Sequence, residues 1–182
     1  ISQYNKKKLV PFGEFLPFEK FLNPIGLKKI TLGHSSFSEG TGKSSIDLKF
    51  DSLDINILPL ICYEIIFPNL VDTNNKFNLI INISEDAWFG KSIGPYQHFA
   101  KAVFRAIESR VYIIRVANMG VSAFISSEGK ILKNLQPNEI GNIELEVPII
   151  EENKKVFKKD LIFLSLLITY IFTFFILRKL KI

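Results

Sequence analysis

The chain has 182 residues, 47% hydrophobic and 13% aromatic, and its 23 Lys and Arg outnumber 18 Asp and Glu for a formal net charge of +5. That length supports one domain with a real core, and the apolar content is rich for a soluble one. A single cysteine excludes an internal disulfide and a multi-cysteine metal site. The lysines are dispersed or gathered near the C-terminus without a zinc, helix-turn-helix or RNA-binding motif, which argues for a membrane surface and against nucleic acid as partner.

Ile1 is not a methionine and no signal-peptide core follows it, so the chain is expected to be a fragment or a processed product. In the N-terminal third, Pro11, Pro17 and Pro24 break regular structure around Phe12, Phe15, Phe18 and Phe21. That aromatic stretch suits either a core or contact with lipid. His34 sits in a Gly/Ser-rich segment and reads as part of a solvated loop.

Ile55 to Ile61 (INILPLI) is a nearly continuous apolar run and predicts a strand buried on both faces, with a bulge or strand end at Pro59. Cys62 follows directly, at the C-terminal edge of a sheet, where open α/β folds put their sites. A nucleophilic thiol needs a nearby base or positive charge, and position alone favours a buried core cysteine over a nucleophile. Leu79 to Ile83 predicts a second buried strand running into the polar-aromatic loop from Ser84 to Gly90.

From Tyr96 to Arg110 the apolar Phe99, Ala102, Val103, Ala106 and Ile107 recur at helical spacing opposite Lys101, Arg105 and Glu108, which predicts an amphipathic helix. His98, near its start, reads as a helix-surface or cap residue and not as a catalytic partner. Val111 to Val116 and Val121 to Ile125 predict two strands joined by the turn Asn118-Met119-Gly120, with Ile131 to Leu135 and Ile143 to Val147 as shorter candidates. No repeat or linker divides residues 1 to 150, so one α/β domain is expected there.

Residues 151 to 160 read as a charged juxtamembrane linker. Leu161 to Leu177 (LIFLSLLITYIFTFFIL) is an unbroken uncharged run. As a helix it covers about 26 Å, close to the hydrocarbon thickness of a bilayer, and no charged position marks a solvent-facing side. Basic residues flank both ends, including the tail 178 to 182, so the charges do not decide its orientation.

Five features in order carry a resemblance. Tyr4-Asn5-Lys6-Lys7-Lys8-Leu9-Val10-Pro11-Phe12-Gly13-Glu14 resembles the Y-x-K-x-x-L-V-P-F-G-E segment of apolipoprotein N-acyltransferases, the membrane branch of the nitrilase superfamily. Cys62-Tyr63-Glu64 resembles that family's nucleophile motif, Asp86-Ala87-Trp88-Phe89-Gly90 its D-A-W-F-G loop, and Arg105-Ala106-Ile107-Glu108-Ser109-Arg110 its R-A-x-E-x-R helix. The apolar C-terminal segment is the fifth. Each piece alone has a bland reading as surface charge or core aromatic, but the shared order does not.

The resemblance implies a nitrilase-like α-β-β-α sandwich, here without its N-terminal strands, followed by one transmembrane helix. It implies Cys62 as nucleophile and Lys6 as oxyanion-stabilising lysine, with Glu14, Tyr63 and Glu64 in support and Trp88 and Phe89 beside the substrate. It further implies a phospholipid acyl donor, a diacylated lipoprotein acceptor and a thioester intermediate, in a bacterial inner membrane with the catalytic domain on the periplasmic side. No metal or cofactor is implied. The family's catalytic base is a glutamate upstream of the lysine, before Ile1, so the 182 residues alone are expected to be inactive. Two other classes stay open: a soluble nitrilase or amidase acting on a small substrate, and a non-catalytic membrane-tethered binding module.

Overall fold

The computed structural model describes residues 2–29, 36–42, 45–50, 53–71, 77–149 and 159–179. His34, most of the 151 to 160 linker and the last three residues of the basic tail lie outside the described residues. A short helix α1, Glu19–Leu22, is followed by six strands in one mixed sheet, in spatial order equal to chain order. They are β1 Ile46–Phe50, β2 Leu53–Ile61, β3 Leu79–Glu85, β4 Tyr112–Asn118, β5 Ser122–Ile125 and β6 Ile131–Leu135. β2, β3 and β4 pair in parallel, and β1, β5 and β6 extend the sheet antiparallel at its two sides.

Between β3 and β4 the chain crosses over through α2, Gly94–Ser109, which opens with Pro95 and ends on Arg110 in the left-handed conformation. Its Ala102 and Ala106 are fully buried against Leu58, Leu60, Ile80, Ile113 and Ile125 of the sheet. Small residues on the helix let it approach β-branched and leucine side chains closely. This shared core fixes one face of the sheet. The parallel alignment then brings the ends of β2, β3 and β4 to one edge, with Ile61 opposite Ile83 and Ile83 opposite Val116.

Several expectations are corrected here. Pro59 lies inside β2, and the β2–β3 register runs unbroken through it. β1 pairs with β2 only as far as Ile57, so a residue without an N–H at position 59 removes no bond on that side. Ile143 to Val147 forms no strand: its side chains alternate between half-buried and exposed, as a strand's would, but the backbone joins no ladder. β1 was not anticipated. On α2, Ile107 is 46% exposed and Arg105 only 6%, the reverse of the expected faces.

Of the N-terminal aromatics, Phe12, Phe18 and Phe21 are exposed, Phe15 is half-buried, and Leu9 and Leu16 supply the buried contacts. The last helix, α3, spans Lys159–Lys179. Within it Leu161–Lys179 has a mean hydropathy of 2.2 and is long and apolar enough to cross a membrane. Its serine and threonine hydroxyls are paired within the helix: Ser165 donates to the Ile162 carbonyl at 2.8 Å, Thr169 to that of Ser165 at 2.8 Å and Thr173 to that of Thr169 at 2.9 Å. Such internal pairing suits a surrounding without water.

Candidate active site

Cys62 is the first residue past β2 and opens a 3-10 turn, Cys62–Ile66. Its φ is +51°, the left-handed region, which costs an L-residue roughly 1–3 kcal/mol and persists only where the surroundings hold it. Two groups do so. On the N-terminal side, the Ile61 N–H donates to Glu64 Oε2 at 2.8 Å, the carboxylate half of a capping box. On the C-terminal side, the Cys62 carbonyl accepts from His98 Nε2 at 3.2 Å.

Glu64 is fully buried and holds more than the turn. Its Oε1 accepts the backbone N–H of Lys7 at 2.6 Å and of Lys8 at 3.1 Å, and the Tyr4 hydroxyl lies 3.0 Å from both carboxylate oxygens. Burial first, and then the adjacent Glu64 charge, push the Tyr4 phenol well above its ordinary pKa, so it remains a donor. The segment carrying Lys6 is thus docked onto the turn carrying Cys62.

Lys6 is directed by Glu14. Its Nζ lies 2.6 and 2.8 Å from the two carboxylate oxygens, and Glu14 Oε2 also accepts the Val10 N–H at 2.9 Å. The turn between them places Gly13 against Val10, where a Cβ would meet Val10 Cγ1 at 3.1 Å. Lys6, Glu14, Cys62 and Tyr63 line one cavity of about 710 Å³ together with Ile61, Ile66, Ile83, Val116, Trp88 and Phe89. Its wall is predominantly apolar. Trp88 and Phe89 are 56% and 41% exposed, so they form its rim and are not core aromatics.

Behind Cys62 lies a buried polar cluster that sequence reasoning missed. His98 is buried and not a helix-surface residue, which overturns the reading from its position near a helix start. Its Nδ1 lies 2.8 Å from Asp86 Oδ1, with Ser84 Oγ and Arg115 Nη2 each at 3.4 Å. On the other side of the ring the Cys62 carbonyl can only accept, so Nε2 is the donor in that contact.

Asp86 Oδ2 accepts from Arg115 Nη2 at 2.7 Å, and Asp86 Oδ1 accepts from Ser84 at 2.6 Å. Arg115 also donates from Nη1 to Asn82 and from Nε to the Val121 carbonyl at 3.2 Å, while Asn82 donates to the Leu60 carbonyl at 2.9 Å. Register explains the meeting: Leu60, Asn82 and Arg115 are cross-strand partners on the buried face. Burial alone would raise the Asp86 carboxyl, but the hydrogen bond from His98, the Arg115 charge and the Ser84 hydroxyl hold it below the usual carboxylate value. Gly120 makes room, since a Cβ there would sit 2.2 Å from Asp86 Oδ2.

The other carboxylate on the cavity, Glu85, accepts from the Ala87 N–H at 3.1 Å and from Asn118 Nδ2 at 2.9 Å. Among the described residues no group of three or more His, Cys, Asp or Glu side chains could hold a metal ion. The signal for the hidden cluster was an arginine inside the apolar run Val111 to Val116. A charge at an inward strand position requires a buried partner.

Residues 1–150 match the family described as carbon-nitrogen hydrolase. The chain is 46% identical over 149 residues to the apolipoprotein N-acyltransferase of Rickettsia typhi, covering 81% of this chain and 29% of that protein. It is 40% identical over 149 residues to the apolipoprotein N-acyltransferase of Brucella suis, covering 81% and 27%. It therefore spans less than a third of the length of these relatives. The solved NitN amidase from Neterenkonia sp. AN1 is similar in structure, with a TM-score of 0.50 at 18% identity over 75% of this chain and 48% of that one. At that identity the likeness concerns the fold alone, and it bears out the nitrilase-like fold expected from the motifs.

Proposed function

We propose that this chain, which belongs to the carbon-nitrogen hydrolase family, carries the acyl-bearing part of the active site of a membrane-anchored lipoprotein N-acyltransferase. The observation that carries this reading is the convergence of Cys62, Lys6 and Glu14 on one largely apolar cavity beside exposed Trp88 and Phe89. The names of the relatives supply the reaction class, and α3 supplies a means of holding the site at a lipid surface.

In the first step Cys62 Sγ attacks the ester carbonyl of a phospholipid. A C–S bond forms, the C–O bond to the glycerol breaks, and a lysophospholipid leaves with the thiol proton delivered to its oxygen by a base. In the second step the N-terminal amine of a diacylglyceryl-cysteine attacks the thioester, forming the amide and returning the thiol. Splitting one acyl transfer into two is what a covalent nucleophile contributes. Lys6 Nζ, held by Glu14, stabilises the oxyanion in each step, an interaction worth about 3–4 kcal/mol when one donor is removed.

Glu14, Glu64 and Glu85 are each held by the donors described above, so none is assigned as the base; the motif resemblance implies a glutamate N-terminal to Lys6. Residues 1–150 form the catalytic part, 151–160 the linker and 161–177 the membrane span, with the catalytic part on the periplasmic side of a bacterial inner membrane. The test is N-acylation of a diacylated lipoprotein by the full-length protein containing this chain. Loss of product in Cys62→Ala is expected, and undiminished product overturns the reading.

A further inference from the structure

We propose that His98 is a positioning residue for the nucleophile, acting through the backbone: its Nε2 clamps the Cys62 carbonyl while Asp86 and Arg115 hold the ring in place. This rests on the reading of Cys62 as the acyl-carrying residue.

The geometry argues for the clamp in three ways. First, Cys62 stands in the left-handed region, and the orientation of its carbonyl depends on what holds the peptide between Cys62 and Tyr63. His98 Nε2 at 3.2 Å is the side-chain donor on that carbonyl, since a carbonyl can only accept. Second, the ring is held on its other side by the ionised Asp86 at 2.8 Å, and Asp86 is in turn pinned by Arg115 at 2.7 Å and Ser84 at 2.6 Å. Arg115 is itself anchored to Asn82 on β3 and to the Val121 carbonyl before β5, so the chain of contacts ends in the sheet. Third, His98 lines the cavity and its ring lies 5.7 Å from that of Phe89, so the clamp adjoins the rim where substrate enters.

A histidine that merely filled the core would need its Asp86 bond and not its Cys62 bond. The two are separable by substitution, because an asparagine amide reaches the Nδ1 position of a histidine and a glutamine amide the Nε2 position. The experiment uses full-length protein and two readouts: alkylation of Cys62 by iodoacetamide, followed on the Cys62 peptide by mass spectrometry, and single-turnover acylation of Cys62 by phospholipid. His98→Asn is expected to slow both at least about tenfold, and His98→Gln to stay within about threefold of the parent, with KM for phospholipid little changed in either; a misplacement of 1 Å is worth up to about 100-fold.

Equal rates in all three proteins, or His98→Gln slower than His98→Asn, overturn the proposal. A variant-independent measurement guards against misfolding: in 15N-histidine-labelled parent protein, His98 Nε2 is expected to carry a hydrogen, and a bare Nε2 overturns the clamp. The alkylation order and the Nε2 hydrogen do not depend on lipid chemistry, so they can succeed even if Cys62→Ala shows the acyltransfer reading to be wrong.

Discussion

Glu64, two residues past Cys62, holds the backbone N–H of Lys7 at 2.6 Å. The same carboxylate takes the N–H of Ile61, the residue before the cysteine, at 2.8 Å. One buried side chain thus sets the distance between the strand end that presents the thiol and the segment that presents Lys6. Glu64→Gln puts an amide NH2 against backbone N–H groups. It should lower N-acylation by about 10- to 100-fold and stability by about 1–3 kcal/mol, the penalty of unsatisfied buried donors. Turnover and thermal melting of the full-length protein measure both.

Lys6 and Glu14 test the oxyanion role separately from the fold. Both are partly exposed, with side-chain accessibilities of 13% and 23%. Lys6→Ala should slow single-turnover acylation of Cys62 about 10²- to 10³-fold while leaving phospholipid binding nearly unchanged. Glu14→Gln, which leaves the ammonium present but loosely aimed, should fall between it and the parent. Equal acylation rates in parent and Lys6→Ala would remove the lysine from the mechanism.

Asp86 predicts a pH dependence with a definite sign. Its folded pKa lies below the unfolded value of about 3.9, so its contribution to stability is complete above that value and is lost as pH falls through the folded one. Asp86→Asn leaves Arg115 buried beside an uncharged amide, which should cost about 3–5 kcal/mol near pH 7. The gap in melting temperature between parent and variant should be widest at neutral pH and should narrow below about pH 4. A gap that widens on acidification would contradict the assignment.

Much of this arrangement was legible in the sequence, for definite reasons. β2, β3 and β4 were readable as short apolar runs and α2 from apolar residues at helical spacing, with Ala102 and Ala106 buried as that spacing requires but Ile107 and Arg105 exchanged. The convergence of Cys62 and Lys6 was readable only through the order of motifs. No local pattern tells that residues 56 apart share a cavity.

β1 was missed although Ile46-Asp47-Leu48-Lys49-Phe50 alternates as an edge strand should. His98 and Arg105 were misread because polar residues on a helix count as solvent-facing until their buried partners are known. For His98 those partners, Asp86 and Arg115, come from β3's end and β4, and only the sheet register brings them together.

Trp88 stands at the rim with its side chain more than half exposed. Trp88→Ala should therefore change stability by less than about 0.5 kcal/mol. Its effect should appear instead as a raised KM for phospholipid presented in vesicles, with iodoacetamide alkylation of Cys62 unchanged. Kinetics on vesicles alongside alkylation of the same preparations separates the two.

The central claim is that Cys62 itself carries the acyl chain. Full-length protein incubated with a phospholipid of defined acyl composition, without lipoprotein acceptor, should yield a Cys62 peptide heavier by that acyl group, and neutral hydroxylamine should remove it. An unmodified Cys62 peptide under conditions where the acceptor is N-acylated, or the acyl group on any other residue, would contradict the account.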